Sequence, residues 1–108
     1  MGGWIAMRIA NRHPELVESL ILEDSAGVRN FGEPLENLND SGIPVLIIWG
    51  ASDRVIPVDA GRYLQSRIKS STFVILDETG HVPHWEKPEE FNRLVTDFLT
   101  RTRETRRI

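Results

Sequence analysis

The chain contains three short runs of apolar residues: Leu20–Leu22, Val45–Trp49 and Thr72–Leu76. The second and third runs are continuously apolar and rich in β-branched residues. This pattern predicts strands that are buried on both faces, as in a parallel sheet covered by helices. Each run ends at a turn-forming segment that contains Asp and Gly. The pattern therefore predicts a short parallel sheet of about three strands.

Apolar residues with a helical period lie between and beyond these runs. The spacing predicts helices over Gly3–Arg12, Val58–Lys69 and Pro88–Arg103. The last is the clearest, because its apolar residues follow the i, i+3, i+4, i+7, i+8 template of an amphipathic helix. These residues are Phe91, Leu94, Val95, Phe98 and Leu99.

Helices and strands alternate, and one polar stretch interrupts them. Residues 27–43 are predicted as a linker, in which residues 34–38 have room for one helical turn. Residues 45–76 form a strand–helix–strand unit, whose crossover should be right-handed. The order predicts an α/β fold of three layers, a parallel sheet with helices on both faces. Residues 1–108 are expected to form one domain.

Composition narrows the class of protein. The 108 residues are 40% hydrophobic and 27% charged, as in ordinary globular domains. The lack of cysteine excludes disulfides, thiolate metal sites and a cysteine nucleophile. A net charge of −3 gives no general attraction to nucleic acid or anionic lipid. Because no membrane span or signal peptide is visible, we expect a cytoplasmic protein with no membrane partner.

A basic segment near the C-terminus is the one feature that suggests nucleic acid. Residues 101–107 contain four arginines, but no aromatic residue is interleaved to stack on bases. A solvated helix end explains the segment better. We therefore expect no nucleic-acid partner.

Candidate chemistry lies in the loops after the second and third strands. The first loop contains Asp53 and the second contains His81. Loops at the C-terminal ends of neighbouring parallel strands can touch, and open α/β sheets bind their ligands there. Each residue alone has a simpler explanation, Asp53 as a turn or helix cap and His81 as a solvated loop residue. Together they suggest an acid–base pair in which Asp accepts the imidazole Nδ1–H.

Other polar residues near His81 have simpler explanations. His84 and Glu86 lie in a proline-bearing loop with no evident third ligand, so no metal or cofactor is expected. His84 and Trp85 are expected to pack in the loop or at a pocket mouth. Glu86 is expected to help begin the last helix.

Both loops, with their flanking residues, resemble the C-terminal part of the α/β-hydrolase superfamily. The resemblance rests on Ile43–Gly50 with Asp53 and Pro57, and on Gly80-His81 with Glu86, Pro88 and Phe91. It is greatest to the cap-bearing branch, which includes meta-cleavage product hydrolases, haloalkane dehalogenases, epoxide hydrolases and small esterases. The resemblance implies that Asp53 is the triad acid and His81 the base.

The same resemblance implies that two parts of a complete enzyme are missing. Met1-Gly2-Gly3 matches the residues just after the nucleophile of the G-x-S-x-G elbow, so the nucleophile would precede Met1. The cap would be inserted where only the linker 27–43 remains. Ser25 and Ser52 are interpreted as turn hydroxyls that bond to local backbone. The chain is therefore expected to be a catalytically incomplete fragment.

Two functions remain open from the sequence. In the first, the chain belongs to a hydrolase of small-molecule esters or ketones that uses Ser-His-Asp chemistry. In the second, it is a non-catalytic module that associates with itself or a partner. The second draws on the strand Leu20–Leu22, which should lie at a bare sheet edge and favour homo-oligomers.

Overall fold

The chain alternates helices and strands as its apolar pattern predicts. The computed structural model describes residues 2–25 and 31–106. Helix α1 is followed by a 3-10 turn at Pro14–Leu16. The elements are α1 (Gly2–Arg12), β1 (Leu20–Glu23), α2 (Glu36–Ser41), β2 (Val45–Gly50), α3 (Asp59–Arg67), β3 (Ser71–Leu76), α4 (Pro83–Glu86) and α5 (Pro88–Arg106).

The three strands form one parallel sheet in the order β1-β2-β3. Val45 of β2 lies opposite both Leu20 of β1 and Ser71 of β3, so the three strands begin level with one another. At the other end, Gly50 lies opposite Leu76. The loops that leave β1, β2 and β3 therefore emerge side by side at one edge of the sheet.

Helices cover both faces of the central strand. All six residues of β2 are buried. Val45, Ile47 and Trp49 pack into a core with side chains of α1, α2 and α3. Leu46 and Ile48 face the opposite side, where α5 supplies Phe98 and partly buried neighbours. Full burial of each such side chain contributes about 1.5–3 kcal/mol. The predicted three-layer α/β fold is confirmed.

The outer strand β3 departs from the expectation of burial on both faces. Of its six residues only Leu76 is fully buried, and Thr72 is exposed. Among the described strands β3 pairs with β2 alone, so its far side lacks the cover that the centre of the sheet has. Continuous apolarity therefore predicted the strand correctly but not its place at an edge.

The predicted linker 27–43 contains more structure than its composition suggests; residues 26–30 lie outside the described part. Helix α2 forms within it and buries Leu38. Asn11 of α1 holds this helix, because its Oδ1 accepts the Leu38 N–H at 3.1 Å and its Nδ2 donates to the Pro34 carbonyl at 2.9 Å. These long-range bonds compensate for a weak local helical signal.

The longest helix, α5, confirms the amphipathic pattern. It buries Phe98 against the sheet, and its charged residues from Glu89 to Arg103 are exposed, as is Leu99 of the predicted apolar face. Within the described ranges, no helix has the length and apolarity needed to cross a membrane.

Gly50 ends β2 at a point where two backbone segments approach closely. A Cβ atom at this position would overlap the carbonyl oxygens of Thr79 and Gly80, which precede His81. The Ser52 N–H donates to the Thr79 carbonyl at 2.9 Å, which joins the two loops at the same point. Only glycine lets the loop after β3 lie this close to the end of β2.

We expect Gly50→Ala to destabilise the chain by about 1–3 kcal/mol, because backbone must move to admit the methyl group. Urea unfolding measures this loss. Ser52→Ala, at an exposed position two residues away, should change stability by less than about 0.5 kcal/mol. Equal effects of the two substitutions would contradict the close approach.

Candidate active site

The aligned ends of β2 and β3 bring Asp53 and His81 into contact. His81 Nδ1 lies 2.8 Å from Asp53 Oδ2. The Asp53 side chain is fully buried, whereas 38% of the His81 side chain is exposed. An ionised carboxylate can only accept hydrogen bonds, so the proton between them belongs to Nδ1. This leaves the imidazole Nε2 free of the carboxylate.

The other oxygen of Asp53 builds the turn that follows β2. Asp53 Oδ1 accepts the N–H groups of Val55 and Ile56, both at 2.8 Å. The Asp53 N–H in turn donates to the Gly50 carbonyl at 3.2 Å. The Asp53 side chain therefore forms an Asx-type turn, as the simpler explanation of this residue expects. It also contacts His81. Its orientation is fixed because each oxygen has a separate partner.

These hydrogen bonds decide the charge of Asp53. Burial by itself would raise the pKa of this carboxyl. The neighbouring Asp24 carboxyl, His81 and the Ile56 and Val55 N–H groups outweigh burial and hold the pKa of Asp53 below its usual value. The side chain is thus an anion at neutral pH, as an acid that stabilises an imidazolium must be.

Glu86 fixes the loop that carries His81. Its carboxylate accepts the Gly80 N–H at 3.0 Å and the Val82 N–H at 3.1 Å, one residue on either side of His81. The expectation that Glu86 helps begin the last helix is wrong. Glu86 ends the short helix α4, which the sequence predicted as loop, and reaches back over the loop before it.

His84 lies in a separate cluster. Its Nδ1 is 2.8 Å from both carboxylate oxygens of Glu23, and its backbone N–H donates to Glu23 Oε2 at 2.8 Å. Its ring lies 5.8 Å from that of Phe91 in α5. Trp85 leaves 81% of its surface exposed. His84 therefore packs against the end of β1 and α5, whereas Trp85 projects into solvent.

The two serines considered as turn hydroxyls differ. Ser52 is exposed. Ser25 is buried, and its Oγ has no hydrogen-bond partner among the described residues. It packs where a side chain on Gly3 of α1 would stand. None of the described residues bonds to the Ser25 hydroxyl as that interpretation expects, and residues 26–30, which follow it, lie outside the described part. Neither serine hydroxyl is hydrogen-bonded to His81, whose described partner is Asp53.

The structure adds a residue that the sequence interpretation treated only as part of a turn. Asp24 follows β1 directly, at the sheet end where Asp53 and His81 lie, and is 3% exposed. The side-chain ligand atoms of these three residues lie within 4.8 Å of one another. A cation could use the same atoms, but those of Asp53 and His81 are already engaged with each other and with backbone N–H groups. We therefore treat the cluster as an acid–base site.

Comparison with known proteins places the chain in a family. Residues 29–88 match the model of the alpha/beta hydrolase fold family. The chain belongs to this family.

Curated relatives share the sequence over most of this chain. The chain is 41% identical over 92 residues to 2-hydroxy-6-oxononadienedioate/2-hydroxy-6-oxononatrienedioate hydrolase 2 of Pseudomonas putida, which covers 82% of the chain and 31% of the relative. It is 34% identical over 83 residues to the corresponding hydrolase of Paraburkholderia xenovorans strain LB400, covering 77% of the chain and 29% of the relative. The chain thus spans about a third of the length of these relatives.

Solved structures agree on the fold. A CIB-like hydrolase from Thermoplasma acidophilum superposes with a TM-score of 0.79 at 29% identity, over 90% of this chain and 45% of that one. The meta-cleavage product hydrolase CumD superposes with a TM-score of 0.73 at 17% identity, over 92% of this chain and 62% of that one. The second likeness, at its lower identity, bears on the fold alone.

We expect Asp53→Asn to reverse the tautomer of His81. The Asn carbonyl can keep the turn bonds to Val55 and Ile56, but its amide then presents N–H groups to Nδ1, which must accept. Imidazole ¹⁵N shifts should therefore report Nδ1–H in the parent chain and Nε2–H in the variant. Asp77→Asn, an exposed aspartate after β3, is the matched control. An unchanged tautomer in Asp53→Asn would contradict the assigned contact.

Proposed function

We propose that this chain supplies the acid and the base of a Ser-His-Asp-type hydrolase. Asp53 is the acid and His81 the base in this proposal. The single observation that carries it is the 2.8 Å contact between the buried Asp53 Oδ2 and Nδ1 of the partly exposed His81. Membership of the alpha/beta hydrolase fold family supports it.

The geometry suits proton transfer at one atom. With Nδ1–H held by Asp53, Nε2 of the neutral imidazole carries the lone pair that can take a proton from a hydroxyl nucleophile. The imidazolium that results is stabilised by the buried Asp53 anion. The same Nε2–H then returns the proton to the leaving group, so the base serves as acid in the second half of the step.

The substrate class comes from the relatives. Their names describe hydrolases of 2-hydroxy-6-oxo dienedioates and trienedioates. We propose that the active protein to which these residues contribute cleaves a carbon–carbon bond next to a ketone in such an acid, or a related ester, with water as co-substrate. His81 can activate the nucleophile for either reaction, because both begin with attack on a polarised carbonyl.

We further propose that the 108 residues alone turn over substrate poorly. Across the described residues no serine hydroxyl is hydrogen-bonded to His81, and the buried Ser25 points toward Gly3. A base without an aligned nucleophile and oxyanion donors lacks the groups that account for most of the rate enhancement.

A chimaera tests the proposal directly. Residues of this chain replace the matching 92 residues of the Pseudomonas putida relative, and dienedioate cleavage is followed by absorbance. We expect activity in the chimaera. Asp53→Asn should lower kcat by about 10⁴-fold, because His81 is held in the wrong tautomer, and His81→Ala by about 10⁶-fold, because the base is lost. The 108-residue chain alone should show neither turnover nor labelling by a fluorophosphonate.

His84→Asn is the matched control in the chimaera, since His84 is a second histidine held by a carboxylate. It should change kcat by no more than a few fold. An active chimaera that tolerates His81→Ala would overturn the catalytic assignment. Fluorophosphonate labelling of the isolated chain would overturn its incompleteness.

We also propose that the isolated chain self-associates through β1. Among the described strands β1 pairs with β2 alone, so its other edge is open. The Leu20 and Asp24 N–H groups donate to the Pro44 and Ile48 carbonyls. By the alternation of a strand, the Ile21 and Glu23 N–H groups therefore point to the open edge, where a second copy can pair with them.

Ile21→Pro should reduce this association, because it removes an outward N–H and leaves the bonds to β2 intact. We expect oligomers of the parent chain in sedimentation velocity at high concentration and mostly monomers of the variant. Ile21→Ala controls for the lost side chain and should remain oligomeric. A parent chain that is monomeric at every concentration would contradict the proposal.

A further inference from the structure

Asp24 presents an unusual arrangement of hydrogen bonds beside the acid–base pair. Its Oδ2 accepts the Gly50 N–H at 3.1 Å. Its Oδ1 is buried, yet among the described residues no N–H or other donor contacts it. The Asp53 carboxyl is its neighbour in the cluster, in which the ligand atoms of Asp24, Asp53 and His81 lie within 4.8 Å of one another.

Two buried carboxylates at this distance repel each other unless one of them holds a proton. Asp53 is the one that stays ionised, because three N–H groups already donate to it, from Val55, Ile56 and His81. A carboxylate has about four acceptor positions, so one remains for a further donor. A proton on Asp24 Oδ1 would fill it and also satisfy the unpartnered atom.

We propose that Asp24 is a positioning residue for the site proposed above: its neutral carboxyl donates an O–H to Asp53 and holds that carboxylate toward His81. The proposal rests on Asp53 and His81 being the acid and base of the hydrolase. Asp24 does not touch the reacting atoms. Its O–H adds to the N–H groups that donate to the Asp53 carboxylate, and that carboxylate orients His81.

The surroundings favour the neutral form of Asp24. Burial, above all, raises its pKa to about 8, and the neighbouring Asp53 carboxyl adds to this effect, while the Gly50 N–H opposes it. The charged or titratable groups near it are Asp53, His81 and the adjacent Glu23. The two carboxylates both disfavour a second anion. Glu23 is itself engaged with His84.

The backbone of Asp24 guides the choice of variants. Its φ of 40° lies in the left-handed region, which Asn and Gly adopt more easily than other residues. Asp24→Asn keeps the shape and can both donate to Asp53 and accept from Gly50, so it imitates the protonated carboxyl at every pH. Asp24→Gly removes the donor without straining the backbone.

The first test is stability against pH. A raised pKa means that the folded state holds a proton that the unfolded state releases above about pH 4, so the contribution of Asp24 to stability falls as pH rises from about 4 to 8. Asp24→Asn lacks this loss. Its urea midpoint should therefore exceed that of the parent by an amount that grows from pH 5 to 8 and then levels off. Asp77→Asn, the exposed control, should give a difference that does not change across this range.

The second test is the orientation of His81. Asp24→Gly should lower the fraction of His81 in the Nδ1–H form, measured from imidazole ¹⁵N shifts, because Asp53 loses a donor that fixes it. Asp24→Asn should restore the parent value. A purely structural role for Asp24 would affect the urea midpoint without this selective rescue of the tautomer.

A carboxyl ¹³C titration of the parent chain measures the protonation of Asp24 directly, and it does not depend on whether Asp24→Gly folds. The proposal is overturned when the Asp24 carboxyl titrates with the exposed aspartates near pH 4, or when Asp24→Asn shifts the urea midpoint equally at every pH. It is also overturned when folded Asp24→Gly keeps the parent tautomer. None of these measurements uses turnover, so an inactive chimaera would count against the hydrolase proposal and leave the proton on Asp24 to be judged separately.

Discussion

The parallel pairing of β2 with both of its neighbours is the constraint on which the rest of the site depends. The shared register starts the three strands level and brings their following loops out at one edge. Asp24, Asp53 and His81 each follow a different strand, and they meet only because those strands are paired in this register. The buried side chains of β2 fix the register, because a shift by one residue would exchange its two faces and break both cores.

Backbone packing at the strand ends then fixes the positions of the side chains at the site. Gly50 allows the loop before His81 to approach β2, and its N–H binds Asp24 while its carbonyl accepts from Asp53. Glu86 holds the N–H groups on either side of His81. Asp53 and His81 are thus positioned mostly by hydrogen bonds to nearby backbone groups. These bonds leave the two side chains little freedom to move.

The sequence was sufficient to predict the parts of this arrangement that follow from periodicity. The strands, the three main helices and the pairing of Asp53 with His81 can all be predicted from apolar runs and the residues that end them. Helix α2 could be predicted only as a single turn over residues 34–38, because its full extent depends on Asn11, which is distant in sequence. The role of Glu86 and the burial of Asp24 could not be predicted, since both depend on how a loop folds back in three dimensions. An aspartate at a strand end has the same local sequence whether it is solvated or buried beside another carboxyl.

The cluster also explains why a buried acid can remain charged so close to a second one. Asp53 stays an anion because it collects the donors, and Asp24 can be buried next to it only if it gives up its own charge. The two states depend on each other: an ionised Asp24 would repel Asp53, and a neutral Asp53 would no longer hold His81 in the Nδ1–H form. The proton on Asp24 is therefore part of the same electrostatic arrangement that holds His81 in the Nδ1–H form. Protonation of Asp24 therefore affects both the stability of this end of the sheet and the tautomer of His81.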